Sequence, residues 1–286
     1  MKLIKPSFEI LEQEVGLEGV YKQIEKVGRT CYKSEDRIAE GTAKGFVDRM
    51  IKSGHGAMLE HGTVYLYIEF TSPLSDRNFL FYSNIKHKYS SNKYSKVVNK
   101  LIDNYKTQCY ITTNYRVLVE NDWLDDLQYI CEPTKYHTKR ITVKFTCDRG
   151  VSHEFVRHRV FSFAQESTRY CNYSKNKFGN EITYIEPCWD MQSDERKLFL
   201  LQLEQAQNTY NALISSGWSP QQARAILPNS LKTELIMTGF VDDWVHLFRL
   251  RTSFIAETGK PHPDMSNLCD SLYKEFVNRG IMESLV

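Results

Sequence analysis

Between Arg157 and Tyr170 the chain reads RHRVFSFAQESTRY. Arg157, Arg159 and Arg169 share this stretch with His158, Ser162, Gln165, Glu166, Ser167 and Thr168. Guanidinium forks match the oxygens of phosphates and carboxylates, so three of them so close together point to a polyanionic ligand. A basic run is ordinarily a solvated turn. Here Val160, Phe161 and Phe163 interleave with the charges, and a turn that meets only water has no use for phenylalanine. This arginine ribbon reads as a ligand-binding stretch rather than a solvated turn.

Upstream, Ile141–Cys147 (ITVKFTC) alternates like a half-buried strand. Asp148 caps a short helix over about 149–157 that carries the arginines at its C-terminal end. Downstream, Ser193 with Asp194 and Glu195 opens the longest helix, with an apolar stripe of Phe199, Leu203, Ala206, Tyr210 and Leu213 and a stop at Gly217. Ser219-Pro220 starts another helix, which Pro228 stops. Asp242 begins one that runs through Arg251 to about Ala256, and a final helix carries Leu268, Leu272 and Phe276.

Nearer the N-terminus, an amphipathic helix over Thr42–Ser53 closes at Gly54, and Thr63–Phe70 (TVYLYIEF) reads as a strand. Residues 72–106 are polar and rich in Tyr and Lys; Thr107–Val119 suggests a strand and Asp122–Ile130 a short helix. Strands come early and helices late, so the class is mixed α/β (α+β) rather than a repeating βαβ array. No repeat or low-complexity linker interrupts 1–286, which favours a single domain.

The chain has 286 residues, 41% hydrophobic and 25% charged, with a net charge of +2. Those values suit a soluble protein with a real core, and they leave any anion affinity to local clustering. No run of about 18 apolar residues offers a membrane span. The opening MKLIKPSFEI has neither an apolar signal core nor an Arg-rich transit pattern. Cysteines 31, 109, 131, 147, 171, 188 and 269 are scattered and never spaced as CxxC, which argues for free thiols in a reducing compartment. The expected address is the cytoplasm, or a host's cytoplasm for a phage or viral protein.

There is no GxxxxGK[ST] and no GxGxxG; Gly54-His55-Gly56 begins the latter, but Leu59 holds the third glycine position. A bound dinucleotide would therefore rest on arginines and helix termini rather than in a Rossmann crevice. His55, Glu60 and His61 leave three readings open: a metal site, although the spacing does not suit two ligands on one helical face; a structural turn; or a ligand-contacting loop. Arg251 shares its helix face with Leu247, Phe248, Phe254 and Ile255. It either meets an anion or polar ring there or snorkels to water along its stem. Ser167 lacks a Ser–His–Asp order or a nucleophile elbow, so it reads as a binder of phosphate rather than a nucleophile. Residues 84–115, with KHKYSSNKYSK, interleave cations and aromatics as single-stranded nucleic-acid binders do. Taken alone, that stretch would describe a non-enzymatic RNA- or DNA-binding protein.

The pattern R-H-R, two residues, Ser162, four residues, Ser167, one residue, Arg169-Tyr170 resembles the signature of the flavin-dependent thymidylate synthases. Two further segments fit: Arg224 in ARAILP, where the family's arginine meets the substrate phosphate, and Leu247–Arg251 (LFRLR), where an arginine bonds the pyrimidine and helps ionise its N3. The family also has an H-x4-E-H segment before a strand, as at His55–His61. The resemblance covers roughly 42–70 and 141–280 and leaves about 72–140 as an insertion. It implies a central antiparallel or mixed sheet flanked by long helices, of the thymidylate synthase-complementing type. It also implies reductive methylation of dUMP to dTMP, with 5,10-methylenetetrahydrofolate as co-substrate, NADPH as reductant and bound FAD, in a homotetramer with shared sites. No membrane is involved, and a nucleic-acid partner is not expected.

By the same resemblance, Arg251 is catalytic and dUMP is held by Glu154, Arg157, Gln165, Glu166, Ser167, Thr168, Arg169, Arg224 and Arg251. FAD is held by His55, Ala57, Arg157, His158, Arg159, Gln165, Phe240, Asp242 and His246, and no metal is implied. Two departures stand out. Ala164-Gln165-Glu166 replaces the family's Asn-Glu and an apolar residue, so either Gln165 or Glu166 takes the glutamate's place. Phe240-Val241-Asp242 and His246 stand where N-x-R and a later Asn are common. A uracil methyltransferase acting on RNA is the alternative within this chemistry.

Overall fold

The computed structural model describes residues 1–71, 76–103, 106–174, 181–257 and 259–286. Two short strands, β1 (Lys2–Ile4) and β2 (Ser7–Leu11), lead into α1 (Gly16–Tyr32), which Lys33 closes in left-handed backbone at φ 49°. Then α2 (Thr42–Lys52) packs on α1 and ends before Gly54, whose φ of 70° suits a residue without a Cβ. One further turn, α3 (Gly56–Leu59), precedes β3 (Thr63–Thr71), the strand expected at TVYLYIEF.

The Lys- and Tyr-rich stretch holds two elements that the sequence did not reveal, α4 (Asp76–Ser90) and β4 (Lys96–Asp103), ahead of β5 (Lys106–Asn114). The strand expected over Thr107–Val119 is cut short. The Asn114 side chain accepts the Val117 N–H at 3.1 Å, and that cap starts α5 (Tyr115–Glu120) within a β-branched run. The helix expected over Asp122–Ile130 is a 3-10 turn, Leu124–Tyr129.

From there the expected order holds. After β6 (Arg140–Asp148), the Asp148 carboxylate accepts the Val151 N–H at 2.8 Å and begins α6 (Arg149–Phe155). The ribbon forms β7 (Ser162–Gln165), followed by β8 (Thr183–Ile185) and α7 (Ser193–Ser215), which buries Leu203, Ala206 and Tyr210. The cap of α7 is Gln192, whose N–H is held by Glu195 at 2.8 Å. Next come α8 (Pro220–Ala223), β9 (Lys232–Phe240), α9 (Val241–Arg251) and α10 (Pro263–Asn278). Helix α9 ends at Arg251 rather than near Ala256, because Thr252 turns extended and the Ser253 N–H is taken by Asp270 at 2.8 Å.

The mixed α/β class is borne out, with the described strands divided among three sheets rather than one. The central sheet is antiparallel, in the order β2-β6-β9-β7; β3-β5-β4 is a second antiparallel sheet, and β1 pairs with β8 in parallel. One face of the central sheet (Val143, Phe145, Leu235, Met237) packs under α6, α9 and α10 through Phe155, Trp244, Phe248, Leu272 and Phe276. Its other face (Leu11, Ala164, Ile236) meets Val27 and Cys31 of α1. Strands β4 and β5 share a sheet with β3, and their core reaches Ile24 of α1 and Phe46 of α2. No described helix is long and apolar enough to cross a membrane.

Candidate functional site

Helix α6 and strand β7 are joined by the turn that carries Arg157, His158 and Arg159, and packing fixes its path. Phe161 lies 4.7 Å from Trp244, centroid to centroid, inside the main core, which accounts for aromatics among the charges. Gly239 allows this approach: a Cβ there would sit 2.5 Å from the Phe161 ring. With Phe161 buried, Arg157, Arg159 and Val160 are left exposed.

Arg251, the last residue of α9, arrives beside this turn. Its Nη1 lies 3.1 Å from Glu154 Oε2, and its Nε–H donates to His158 Nε2 at 3.0 Å. The side chain is only 18% exposed, so it is held by partners and does not snorkel to water. Burial first, then the nearby Arg251 and His246, pulls the His158 pKa down to about 4 against the pull of Glu154. A neutral ring is what the Arg251 bond requires, with the lone pair on Nε2 and the proton on Nδ1. Arg157 reaches the same Glu154 at 3.2 Å, so one carboxylate orients two guanidiniums.

A second group forms farther along the ribbon. Arg224 Nη1 donates to the Thr168 hydroxyl at 3.1 Å, and Arg169 Nε donates to Gln221 Oε1 at 2.9 Å. The ARAILP segment is thus docked against the ribbon, with α8 begun by a Ser219–Gln222 capping box. Ser167 gives its N–H to the Cys31 carbonyl at 3.0 Å, and its hydroxyl accepts the Arg169 N–H at 3.4 Å.

Pleat parity separates Gln165 from Glu166, because successive strand residues point to opposite faces. Gln165 faces α6, where its amide donates to Ser152 at 2.9 Å and Thr233 at 3.2 Å. Glu166 turns toward α1 and is buried, paired with Lys232 at 2.8 Å and near Lys33 at 3.8 Å. Sequence reasoning missed Lys33, Lys232, Glu234, Gln221 and Ser152. The one available signal was Lys232 and Glu234 on one face of a strand otherwise apolar toward its end.

His55 and His61 do not converge. His55 and Ala57 are exposed, whereas His61 is buried with Nδ1 2.7 Å from the Thr238 hydroxyl and a pKa brought down to about 3 by burial and by Arg140. The Glu60 carboxylate pairs with Arg116 at 2.5 Å, and its carbonyl accepts from Arg140 at 3.0 Å. Glu60 and His61 are thus engaged within the fold, and His55 is left at the surface. Phe240 is 7% exposed, with Lys96 4.8 Å and Arg140 5.6 Å from its ring centroid, so its face is already covered. Asp242 pairs with Lys96 at 2.6 Å, and His246 is exposed. In the Lys- and Tyr-rich stretch, Lys88 is bound to Asp126 and Lys100 to the Tyr136 hydroxyl, so these cations are engaged within the fold.

The sequence profile of the thymidylate synthase complementing protein matches residues 136–279, which include the ribbon, Arg224 and Arg251. A probable flavin-dependent thymidylate synthase of Paramecium bursaria Chlorella virus 1 is 30% identical over 157 residues, covering 49% of this chain and 69% of that protein. The flavin-dependent thymidylate synthase of Geobacter sulfurreducens is 30% identical over 103 residues, covering 36% of this chain and 43% of that protein. Among solved structures, a UMP/dUMP methylase of Streptomyces cacaoi bound with 5-Br dUMP aligns over 97% of this chain and 93% of that one, at 14% identity and a TM-score of 0.46. The chain belongs to the thymidylate synthase complementing protein family.

Proposed function

We propose that the protein is a flavin-dependent thymidylate synthase, a methyltransferase that converts dUMP to dTMP. The one-carbon unit comes from 5,10-methylenetetrahydrofolate, and NADPH is the reductant. The observation that carries this reading is the meeting of Arg251 with Glu154 and His158 at one end of the ribbon and of Arg224 with Thr168 at the other. FAD, when bound, supplies hydride transfer. The donor set suits it: Arg157 and Arg159 offer exposed forks to a dinucleotide's phosphates, and His158 offers a neutral Nδ1–H.

The chain's own share is binding and polarisation. Arg169 and Arg224, with the Ser167 and Thr168 hydroxyls, grip the nucleotide phosphate, while Arg157, Glu154 and Gln165 meet its base and sugar. Arg251 stabilises the negative charge that develops on the uracil. Because Glu154 and His158 already fix the guanidinium, no reorganisation is needed when that charge appears. Cys171, the cysteine next to the ribbon, is buried, in keeping with a route that needs no thiol nucleophile.

Exposed Val160 and Tyr170 beside the arginines favour a site closed by a second protomer, within a homotetramer. We place this assembly in the cytoplasm, as a single catalytic unit embellished by about 72–140. The test is direct: purified protein with dUMP, methylenetetrahydrofolate, NADPH and FAD should yield dTMP, and leaving out dUMP or FAD should stop it. A colourless protein that forms no dTMP under these conditions sinks the reading. Light scattering tests the tetramer.

A further inference from the structure

Four charges lie under the second half of the ribbon, on the sheet face away from Arg251. Lys232 Nζ is 2.8 Å from Glu166 Oε2 and 2.8 Å from Glu234 Oε1. Lys33 pairs with Glu234, lies 3.8 Å from Glu166, and reaches Glu35 at the rim at 3.6 Å. The Tyr173 hydroxyl donates to Glu166 Oε1 at 3.4 Å. The Glu166 side chain is 2% exposed and those of Lys232 and Glu234 are 16% exposed. Burial alone would draw Lys232 down, but Glu166 and Glu234 hold it up at about 12. Burial alone would push Glu234 up, but Lys232 and Lys33 hold it at about 2. Lys232 and Glu234 therefore keep their charges across any working pH.

Apolar residues of equal volume would fill this space at less desolvation cost, so stability alone is a poor reason for two buried ion pairs. What the square does is tie three separate segments together. Lys33 follows α1 in its left-handed cap, Lys232 and Glu234 open β9, and Glu166 follows β7. Backbone bonds run beside it, from Glu166 N–H to the Glu234 carbonyl at 2.8 Å and from Ser167 N–H to the Cys31 carbonyl at 3.0 Å. The residues that leave this clamp are Ser167, Thr168 and Arg169.

We propose that Lys33, Glu166, Lys232 and Glu234 are positioning residues that set where Ser167–Arg169 meet the nucleotide phosphate. Glu166 then acts through the ribbon rather than on the substrate, and Gln165 alone of the two faces the ligand side. This inference rests on the nucleotide-binding reading above.

The test compares Glu166→Gln and Lys33→Met with the wild-type holoenzyme. Dissociation of dUMP is followed through the absorbance of the bound flavin, with flavin content and steady-state constants measured alongside. Both variants should weaken dUMP binding about tenfold and raise its KM in step, change kcat at saturating dUMP by less than that, and hold FAD within twofold. A dUMP affinity within twofold of wild type in Glu166→Gln overturns the proposal. So does a tenfold loss in Glu166→Gln with none in Lys33→Met, since that pattern marks Glu166 as a direct substrate contact. Should Glu166→Gln not fold, Glu166→Asp keeps the charge and withdraws it by one methylene; a loss of about threefold is expected, and wild-type affinity refutes the clamp. Hydrogen exchange of the Ser167–Tyr170 amides in ligand-free protein separates this inference from the function. If wild type binds no dUMP, tenfold faster exchange in Glu166→Gln still supports the clamp, and unchanged exchange removes it.

Discussion

Replacing Arg251 by Ala tests the centre of the proposed chemistry, and its size can be worked from the contacts. A cation beside an ionising acid lowers that acid's pKa by about 1–3 units, each unit being about 1.4 kcal/mol. Losing it should raise the barrier by about 1.4–4 kcal/mol, a fall in kcat of about 10- to 1000-fold. The fold should survive. Glu154 keeps Arg157 at 3.2 Å, so no carboxylate is orphaned, and the lost partly exposed pair is worth about 1 kcal/mol. For a chain of 286 residues that is a drop of about 2 °C in Tm. His158 gives an independent readout. Burial, the main cause of its low pKa, remains, while the Arg251 contribution goes, so its pKa should rise from about 4 without regaining the ordinary 6.5. The assays are dTMP formation at saturating substrates, flavin absorbance for retained cofactor, and an NMR titration of His158. If kcat stays within threefold of wild type with full flavin content, Arg251 does not polarise the uracil.

Other perturbations probe the scaffold. Glu234, held at about 2 against an ordinary 4.5, contributes stability that is fully present above about pH 4.5 and lost as pH falls through 2. Lys232, held at about 12 against 10.5, contributes stability that is complete below 10.5 and lost as pH rises through 12. The Lys232–Glu234 pair should therefore add no slope between pH 5 and 10; urea unfolding of wild type and Lys232→Met should differ by a constant amount over that span, and a difference that varies there contradicts the assignment. Asp148→Ala removes the cap of α6 and should cost about 1 kcal/mol in a urea melt, with weaker dUMP binding because Glu154 rides on that helix. Gly239→Ala drives a methyl into the Phe161 ring and should cost about 1–3 kcal/mol, visible in Tm and in the near-ultraviolet circular dichroism of Trp244.

Local rules made the central sheet legible. ITVKFTC alternates, Asp148 is a good cap, and both behave in the fold as they read in sequence. Phe161 among the arginines argued against a solvated turn, and its contact with Trp244 shows what holds the ribbon. The Lys- and Tyr-rich stretch was harder, for a physical reason. In α4, Ile85 and Tyr89 are buried one turn apart, a helical stripe, but Lys86 and Lys88 sit among them. Lys88 lies 4.6 Å over the Trp123 ring while paired with Asp126, so the same cation-and-aromatic composition that suits a nucleic-acid surface here closes a core edge. Composition alone does not distinguish the two; only the partners do, and they lie far off in sequence.

The site was legible as a set of arginines and illegible as a clamp, and the pleat explains why. Lys33, Glu166 and the Lys232–Glu234 pair come from three segments, and no local spacing links them. Their meeting depends on the register of β7 against β9, in which Phe163 pairs with Met237 and Gln165 with Leu235. A slip of one residue would turn Gln165 toward α1 and Glu166 toward α6. Phe163, packed against the main core beside Phe161, resists that slip because it would be carried to the other face. The aromatic residues that first marked the ribbon thus do more than anchor it. They decide which of two adjacent polar side chains turns toward α6 and which meets Lys232 on the opposite face.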